Sequence, residues 1–296
     1  MSATPALRAR LDEGLGRLGG EAAALGDDAR GRLVAFVELL ARWNRVHNLT
    51  AVRDPSEMVA RHLLDSLALL PWIGAPEGST TAPLGAAPIP SGAATARADA
   101  PPVDAPNGRV NAVRPGEPRG SAASGAGGRG ARAGSVAAGG EAEGGTVRRG
   151  VDLANGTGPV FDLLDIGSGG GLPVLPLALA RPDLRCLSVE SNGKKARFQR
   201  QAAIELGLGR VEVREARIET VAAGAAIVVS RAFAAPGDFL AIAARHVPSG
   251  GRALVMLGRE RSLPDPLPAP FELETLRALD VPFERGARHL AVCRAR

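Results

Sequence analysis

Asp165, Gly167, Gly169, Glu190 and Arg231 are the residues whose types and spacing could do chemistry together. The first three fall in 161–180, "FDLLDIGSGGGLPVLPLALA", where an apolar run breaks into glycines and then resumes at helical spacing. Glycines between a strand and a helix let backbone N–H groups face a ligand at the helix N-terminus. A dinucleotide pyrophosphate wants Gly-x-Gly-x-x-Gly there, but Leu172 takes the third glycine's place. Asp165, two residues before the first glycine, would repel a pyrophosphate and suit a cation. Glu190 ends the next apolar run, placed to accept both hydroxyls of a ribose. A positively charged adenosine without phosphate meets both demands, and S-adenosylmethionine is that molecule. Arg231 follows the apolar run "AAIVV" at a strand's C-terminal edge, where ligands bind in open α/β sheets.

Positioning these residues requires an alternation of strands and helices. Five apolar runs read as strands: "VFDLLDI", "LRCLSVE", "RVEVRE", "AAIVVSRA" and "GRALVML". Helix-like segments lie in every interval except the one after "RVEVRE". That order predicts an α/β fold, a parallel sheet with helices on both faces. "FELETLRAL" and "RHLAVCRA" suit an antiparallel edge. Residues 159–296 make up this ligand-binding domain. Residues 1–75 read as a helical extension, with Leu33, Phe36, Val37, Leu40 and Trp43 on one helix face. A second helix starts at "RDPSE": Asp54 as N-cap, Pro55 in the first position, Glu57 closing a capping box. Its apolar stripe is Val59, Leu63, Leu67 and Leu70. His62 and Asp65, three apart, are expected to pair.

Residues 76–158 stand apart. Ala, Gly and Pro supply 46 of these 83 residues, and Phe, Trp and Tyr are missing. Such a segment buries too little apolar surface to offset its ordering entropy, so a disordered insertion is expected. Across the chain of 296 residues, hydrophobic residues make up 45%, enough for a core, and the net charge of +5 is compatible with a polyanionic partner. Cys186 and Cys293 lack metal-type spacing and read as buried reduced thiols. The N-terminal "MSATPALRARLDEG" has no signal-peptide apolar region. A soluble, cytoplasmic monomer without a metal or membrane partner is expected.

The strings "DIGSGGGLPVLPLALARPDL", "ESNGKKARFQ", "VVSRAF", "WNRVHNLTAVRDPSEMVARHLLDS" and "GARHLAVC" occur here in this order apart from the fourth, which precedes the others. Together they resemble the bacterial 16S ribosomal RNA guanine-N(7) methyltransferase family (RsmG, also called GidB), over nearly everything outside 76–158. The resemblance implies a class I S-adenosylmethionine-dependent methyltransferase fold, Rossmann-like, with a helical N-terminal extension. It implies methylation of one guanosine, guanine(527), in the decoding-centre loop of 16S rRNA or the small ribosomal subunit. Carried over residue by residue, it puts the methyl donor against Gly167 and Leu172, the adenine against Ile218 and Glu219, and Arg231 beside the reacting centre. Arg53 and His62 read either as part of a capped junction and a surface pair or, more sharply, as the border of an RNA entrance. The resemblance favours phosphate contacts for Lys194, Lys195 and Arg197, with solvated charge as the plain alternative for that run. Val174 and Leu257 depart from the family pattern, which has a glycine and a lysine there.

Guanine N7 has an in-plane lone pair and no proton, so its methylation needs no general base, only alignment and tolerance of moving positive charge. Two other functions compete: a NAD-dependent Rossmann-type oxidoreductase, which Leu172 and Asp165 disfavour, and a non-catalytic rRNA-binding assembly factor. An active-site Arg231 leads to the expectation that Arg231→Ala causes a large loss of methylation rate at a near-native melting temperature.

Overall fold

The computed structural model describes residues 3–74, 160–231, 234–258 and 263–296. The insertion read at 76–158 lies outside them. Seven strands form one sheet: β1 Val160–Ile166, β2 Cys186–Glu190, β3 Val211–Glu215, β4 Gly224–Arg231, β5 Arg252–Leu257, β6 Phe271–Ala278 and β7 His289–Ala295. Their order is β3-β2-β1-β4-β5-β7-β6. β7 runs antiparallel to both β5 and β6, and the other pairings are parallel. This is the class I methyltransferase topology expected from the sequence. The chain order reverses between β1 and β4, so the crevice at the C-terminal ends of these two strands is the switch point where ligands bind. β2 is buried along its whole length, as an apolar strand covered on both faces should be.

The helical block begins with α1 (Ala3–Leu18), α2 (Gly20–Ala23) and α3 (Asp27–His47). It continues with α4 (Pro55–Met58), a π-helical turn (Val59–Leu64) and α5 (Asp65–Leu67). Three helices accompany the sheet: α6 (Val174–Ala180), α7 (Gly193–Glu205) and α8 (Pro236–Ala243). A 3-10 turn, Ile218–Thr220, fills the interval after β3.

One core joins the helical block to the sheet. Leu33, Phe36 and Leu40 of α3 pack with Leu163 of β1, Leu175 of α6 and Phe198 of α7. The Phe198 ring lies 6.3 Å from Phe36 and 5.6 Å from Trp43, centroid to centroid. α8 covers the opposite face, with Phe239 and Leu240 against Phe161 and Val228.

Asp54 caps α4 as expected, accepting from Ser56 N at 2.9 Å. Glu57 does not close the box: among the described residues it makes no hydrogen bond, and its side chain is exposed. The expected single stripe is also too narrow. α1 packs on the π turn and α6 on α5, so His62, Asp65 and Ser66 are buried along with Val59, Leu63 and Leu67.

Candidate active site

The loop after β1 is shaped by glycine and held by polar clamps. Gly167, Gly169 and Gly171 have φ of 70°, 57° and 79°, the left-handed region that side chains disfavour. A Cβ on Gly171 would stand 2.3 Å from Leu175 Cδ1. Gly167 N donates to Val189 O at 2.9 Å, fastening the loop to the end of β2. Beneath it lies a buried triad: Gln199 Nε2 donates to Ser168 Oγ (2.8 Å) and to Gly169 O (2.7 Å), and Gln199 Oε1 accepts from Ser188 Oγ at 2.5 Å. Sequence reasoning missed Gln199, a neutral residue within a basic helix with no local signal of its role.

Glu190 ends β2 and holds the other side of the same residue, Gly169. Its Oε2 accepts from Gly169 N at 2.7 Å and its Oε1 from Asn192 N at 2.8 Å. A carboxylate offers about four lone-pair positions, so capacity remains on each oxygen. Asn192 Oδ1 caps α7, accepting from Lys194 N (3.0 Å) and Lys195 N (3.3 Å).

Asp165 is set differently from the sequence expectation of a group open to a ligand. It is fully buried, and its Oδ2 accepts from Val174 N at 3.2 Å while Oδ1 has no hydrogen-bond partner among the described residues. Complete burial holds its carboxyl well above the usual carboxylate range, against the opposing effects of the Val174 N–H and the Arg231 charge. The Val174 N–H belongs to the first turn of α6. Leu172 is buried, Ile218 packs into the core around Phe161 and Leu164, and Glu219 is exposed.

The second half of the site forms around Arg231 at the end of β4. Its Nη1 donates to Arg61 O at 2.9 Å and to Asp65 Oδ2 at 3.2 Å. The His62 ring approaches the same guanidinium at 3.4 Å. The expected pairing of His62 with Asp65 is therefore corrected: each turns to Arg231, because the π turn and the end of β4 bring a cation between them. His62 Nε2 lies 2.9 Å from Thr50 Oγ1. Burial first, and the Arg231 charge second, push the His62 pKa down to about 4. His62 is thus a neutral, buried residue of the cavity wall.

A cavity of about 600 Å³ opens here, within the ~300–1,000 Å³ usual for small-ligand sites. Thr50, His62 and Asp65 line it from the helical block, Arg231 and Leu257 from the ends of β4 and β5, and Arg288 from the approach to β7. Leu257 gives this wall an apolar patch. The link that carries Thr50 is stitched by buried Asn44, whose Nδ2 donates to Val52 O (3.0 Å) and whose Oδ1 accepts from Thr50 N (2.9 Å). Arg53 is exposed yet anchored, donating to Asn44 O at 3.1 Å and Asn48 Oδ1 at 2.7 Å. Lys194 and Arg197 are exposed and Lys195 half-buried at the start of α7, and among the described residues none of the three forms an ion pair.

Comparison with known proteins matches residues 30–85 and 152–277 to the family described as rRNA small subunit methyltransferase G, GidB. A protein of Alkalilimnicola ehrlichii named ribosomal RNA small subunit methyltransferase G is 35% identical, covering 98% of this chain and 93% of that one. Its namesake from Azoarcus sp. is 33% identical, with 94% of each chain covered. Among solved structures, TrmN from Thermus thermophilus aligns at a TM-score of 0.41 with 21% identity, over 47% of this chain and 45% of that one.

Proposed function

This chain belongs to the rRNA small subunit methyltransferase G family, and from that premise we propose that it methylates N7 of a single guanine of 16S rRNA, guanine(527) in the decoding-centre loop. It is an S-adenosylmethionine-dependent methyltransferase. The observation that carries the reading is Gly169 at the switch point, its N–H held by Glu190 and its C=O by Gln199.

The residues present fit the donor. Glu190 retains acceptor capacity for ribose hydroxyls, and Asp165 keeps an orphaned buried oxygen under the loop. Glu190, the carboxylate at the end of β2 beside the loop, favours a cationic ligand over a pyrophosphate. Gly167, Gly169 and Leu172 would hold the donor through the loop backbone, with Ile218 and Glu219 beside its adenine. When bound, S-adenosylmethionine supplies an electrophilic methyl group on a sulfonium sulfur.

The chain's own residues then have two tasks. They must hold acceptor and donor in line, which is worth on the order of 7–11 kcal/mol at the limit, and they must tolerate positive charge moving toward the guanine. Neutral His62 adds no cation to the wall. Arg231, held by Asp65 and Arg61 O, keeps its charge fixed and partly neutralised. Arg53, Lys194, Lys195 and Arg197 would meet RNA phosphates, with His62 at the cavity wall behind them. Residues 1–75 serve as the acceptor-side extension, 159–296 as the donor-binding domain, and 76–158 as an insertion. The enzyme acts as a cytoplasmic monomer on 16S rRNA or the small ribosomal subunit.

The test is methyl transfer from labelled S-adenosylmethionine to small subunits and to free 16S rRNA of a strain lacking the modification, with mass mapping of the product. Label on N7 of one guanine supports the reading. Label elsewhere in 16S rRNA overturns the position, and protection from thermal unfolding by NAD instead of S-adenosylhomocysteine overturns the activity.

A further inference from the structure

We propose that Asp65 is a positioning residue for methyl transfer, one that fixes Arg231 on the cavity wall and acts on the reaction through it. The proposal rests on reading the cavity as the acceptor side of the site.

Three parts of the chain meet at this carboxylate, whose side chain is only 5% exposed. Its Oδ2 takes Arg231 Nη1 at 3.2 Å, and Arg288 Nε stands 3.4 Å from its Oδ1. Behind them Glu284 Oε2 lies 3.4 Å from both Arg61 Nε and Arg288 Nη2. Three guanidinia thus surround two carboxylates, spanning the helical block, the end of β4 and the segment leading into β7.

The backbone of the helical block is adapted to the same guanidinium. In the π turn, Asp65 N donates to Ala60 O instead of to Arg61 O, as an α-helix would have it. Arg61 O is left to accept from Arg231. Single π turns inside helices occur often at functional sites.

Stability alone does not account for Asp65. A buried ion pair loses much of its Coulombic gain to desolvation, and apolar replacements of similar volume are often as stable. Burial raises the Asp65 pKa despite Arg231 and Arg288, with Glu284 raising it further. What the arrangement does secure is orientation. Arg231 has many rotamers as a lone side chain at a strand end; with two of its contacts set by Arg61 O and Asp65, its charge is in place before the reaction and needs no reorganisation.

The experiment measures kcat, the KM for S-adenosylmethionine and the melting temperature of the full chain as wild type, Asp65→Asn, Arg231→Lys and the double variant, on small-subunit RNA. Asp65→Asn is expected to lower kcat by about tenfold or more with the donor KM changed less than about twofold. In the Arg231→Lys background the same change is expected to alter kcat by less than about twofold, because the residue it acts through is gone. Unchanged kcat in Asp65→Asn, or losses that multiply in the double variant, would overturn the proposal. If Asp65→Asn does not fold, Arg288→Gln replaces it in the same cycle, judged by the same non-additivity. A wild-type chain that methylates no small-subunit RNA refutes the assigned activity and the proposal with it, whereas an active wild type with an active Asp65→Asn refutes the proposal alone.

Discussion

Arg231 and Asp65 stand 166 positions apart in the chain and meet at 3.2 Å. The contact joins the end of the strand beside the switch point to a helix of the N-terminal block, so neither part builds the cavity by itself. It also changes what a substitution at Arg231 should do.

Arg231→Ala is expected to lower both the methylation rate and the melting temperature, in contrast to the near-native stability expected of a free active-site arginine. Removal leaves Asp65 buried with Arg288 at 3.4 Å as its remaining cation, so the loss should fall below the ~3–5 kcal/mol of a wholly uncompensated buried charge. Arg231→Lys should rescue poorly, since an ammonium lacks the planar fork. Calorimetric melting with single-turnover methylation checks both; an Ala variant of native rate would remove Arg231 from the site.

Glu190→Gln is expected to weaken binding of S-adenosylmethionine by about tenfold or more. Hydrogen bonds to a charged acceptor are worth roughly 1.5–3 kcal/mol each, and the amide supplies a single acceptor atom where the carboxylate holds both Gly169 N and Asn192 N. Titration calorimetry reads the affinity. An unchanged value would place the ribose elsewhere.

Gln199→Leu should loosen the glycine loop from below. It strips partners from Ser168, Ser188 and Gly169 O, and a buried polar group left unsatisfied costs about 1–3 kcal/mol. The melting temperature and the donor affinity should fall together, and S-adenosylhomocysteine should restore part of the lost stability. A drop in melting temperature with native donor affinity would confine Gln199 to packing.

His62 should make stability fall in mild acid. Its pKa is about 4 in the fold against 6.5 ordinarily, so between those values the unfolded chain binds the extra proton. The contribution is complete above pH 6.5 and is lost as pH drops towards about 4, on the order of 3 kcal/mol in all. His246, also depressed by burial, acts in the same direction; Asp65 and Asp165, with raised values, oppose it. The difference between wild type and His62→Gln isolates the share of His62. Urea unfolding from pH 7 to 4 should show a shallower slope for the variant, and parallel slopes would contradict the assignment.

Replacing residues 76–158 by a short Gly-Ser linker should leave a single cooperative unfolding transition and methylation activity, because the helical block and the sheet already share one core through Leu40, Leu163 and Phe198. Two separate transitions by calorimetry would contradict this.

The sequence by itself determined the strands and the cofactor side of the site. The five runs and the two edge candidates became the seven strands within two residues at each start. Central strands such as β2, covered on both faces, must be continuously apolar, while the edge strands β3 and β6 alternate with charged residues. The glycine loop and Glu190 were legible for the same reason: loop geometry and strand ends are local, spelled out by neighbours in the chain. The acceptor side was not. His62 and Asp65 were readable as polar residues in an apolar helix, yet the local i,i+3 rule paired them with each other. Only the packing of the helical block against the sheet brought Arg231 and Arg288 to them, buried His62 into its neutral form, and turned Asp165 under the loop. Desolvation and long-range ion pairing depend on which elements pack together, and no short window of sequence carries that information.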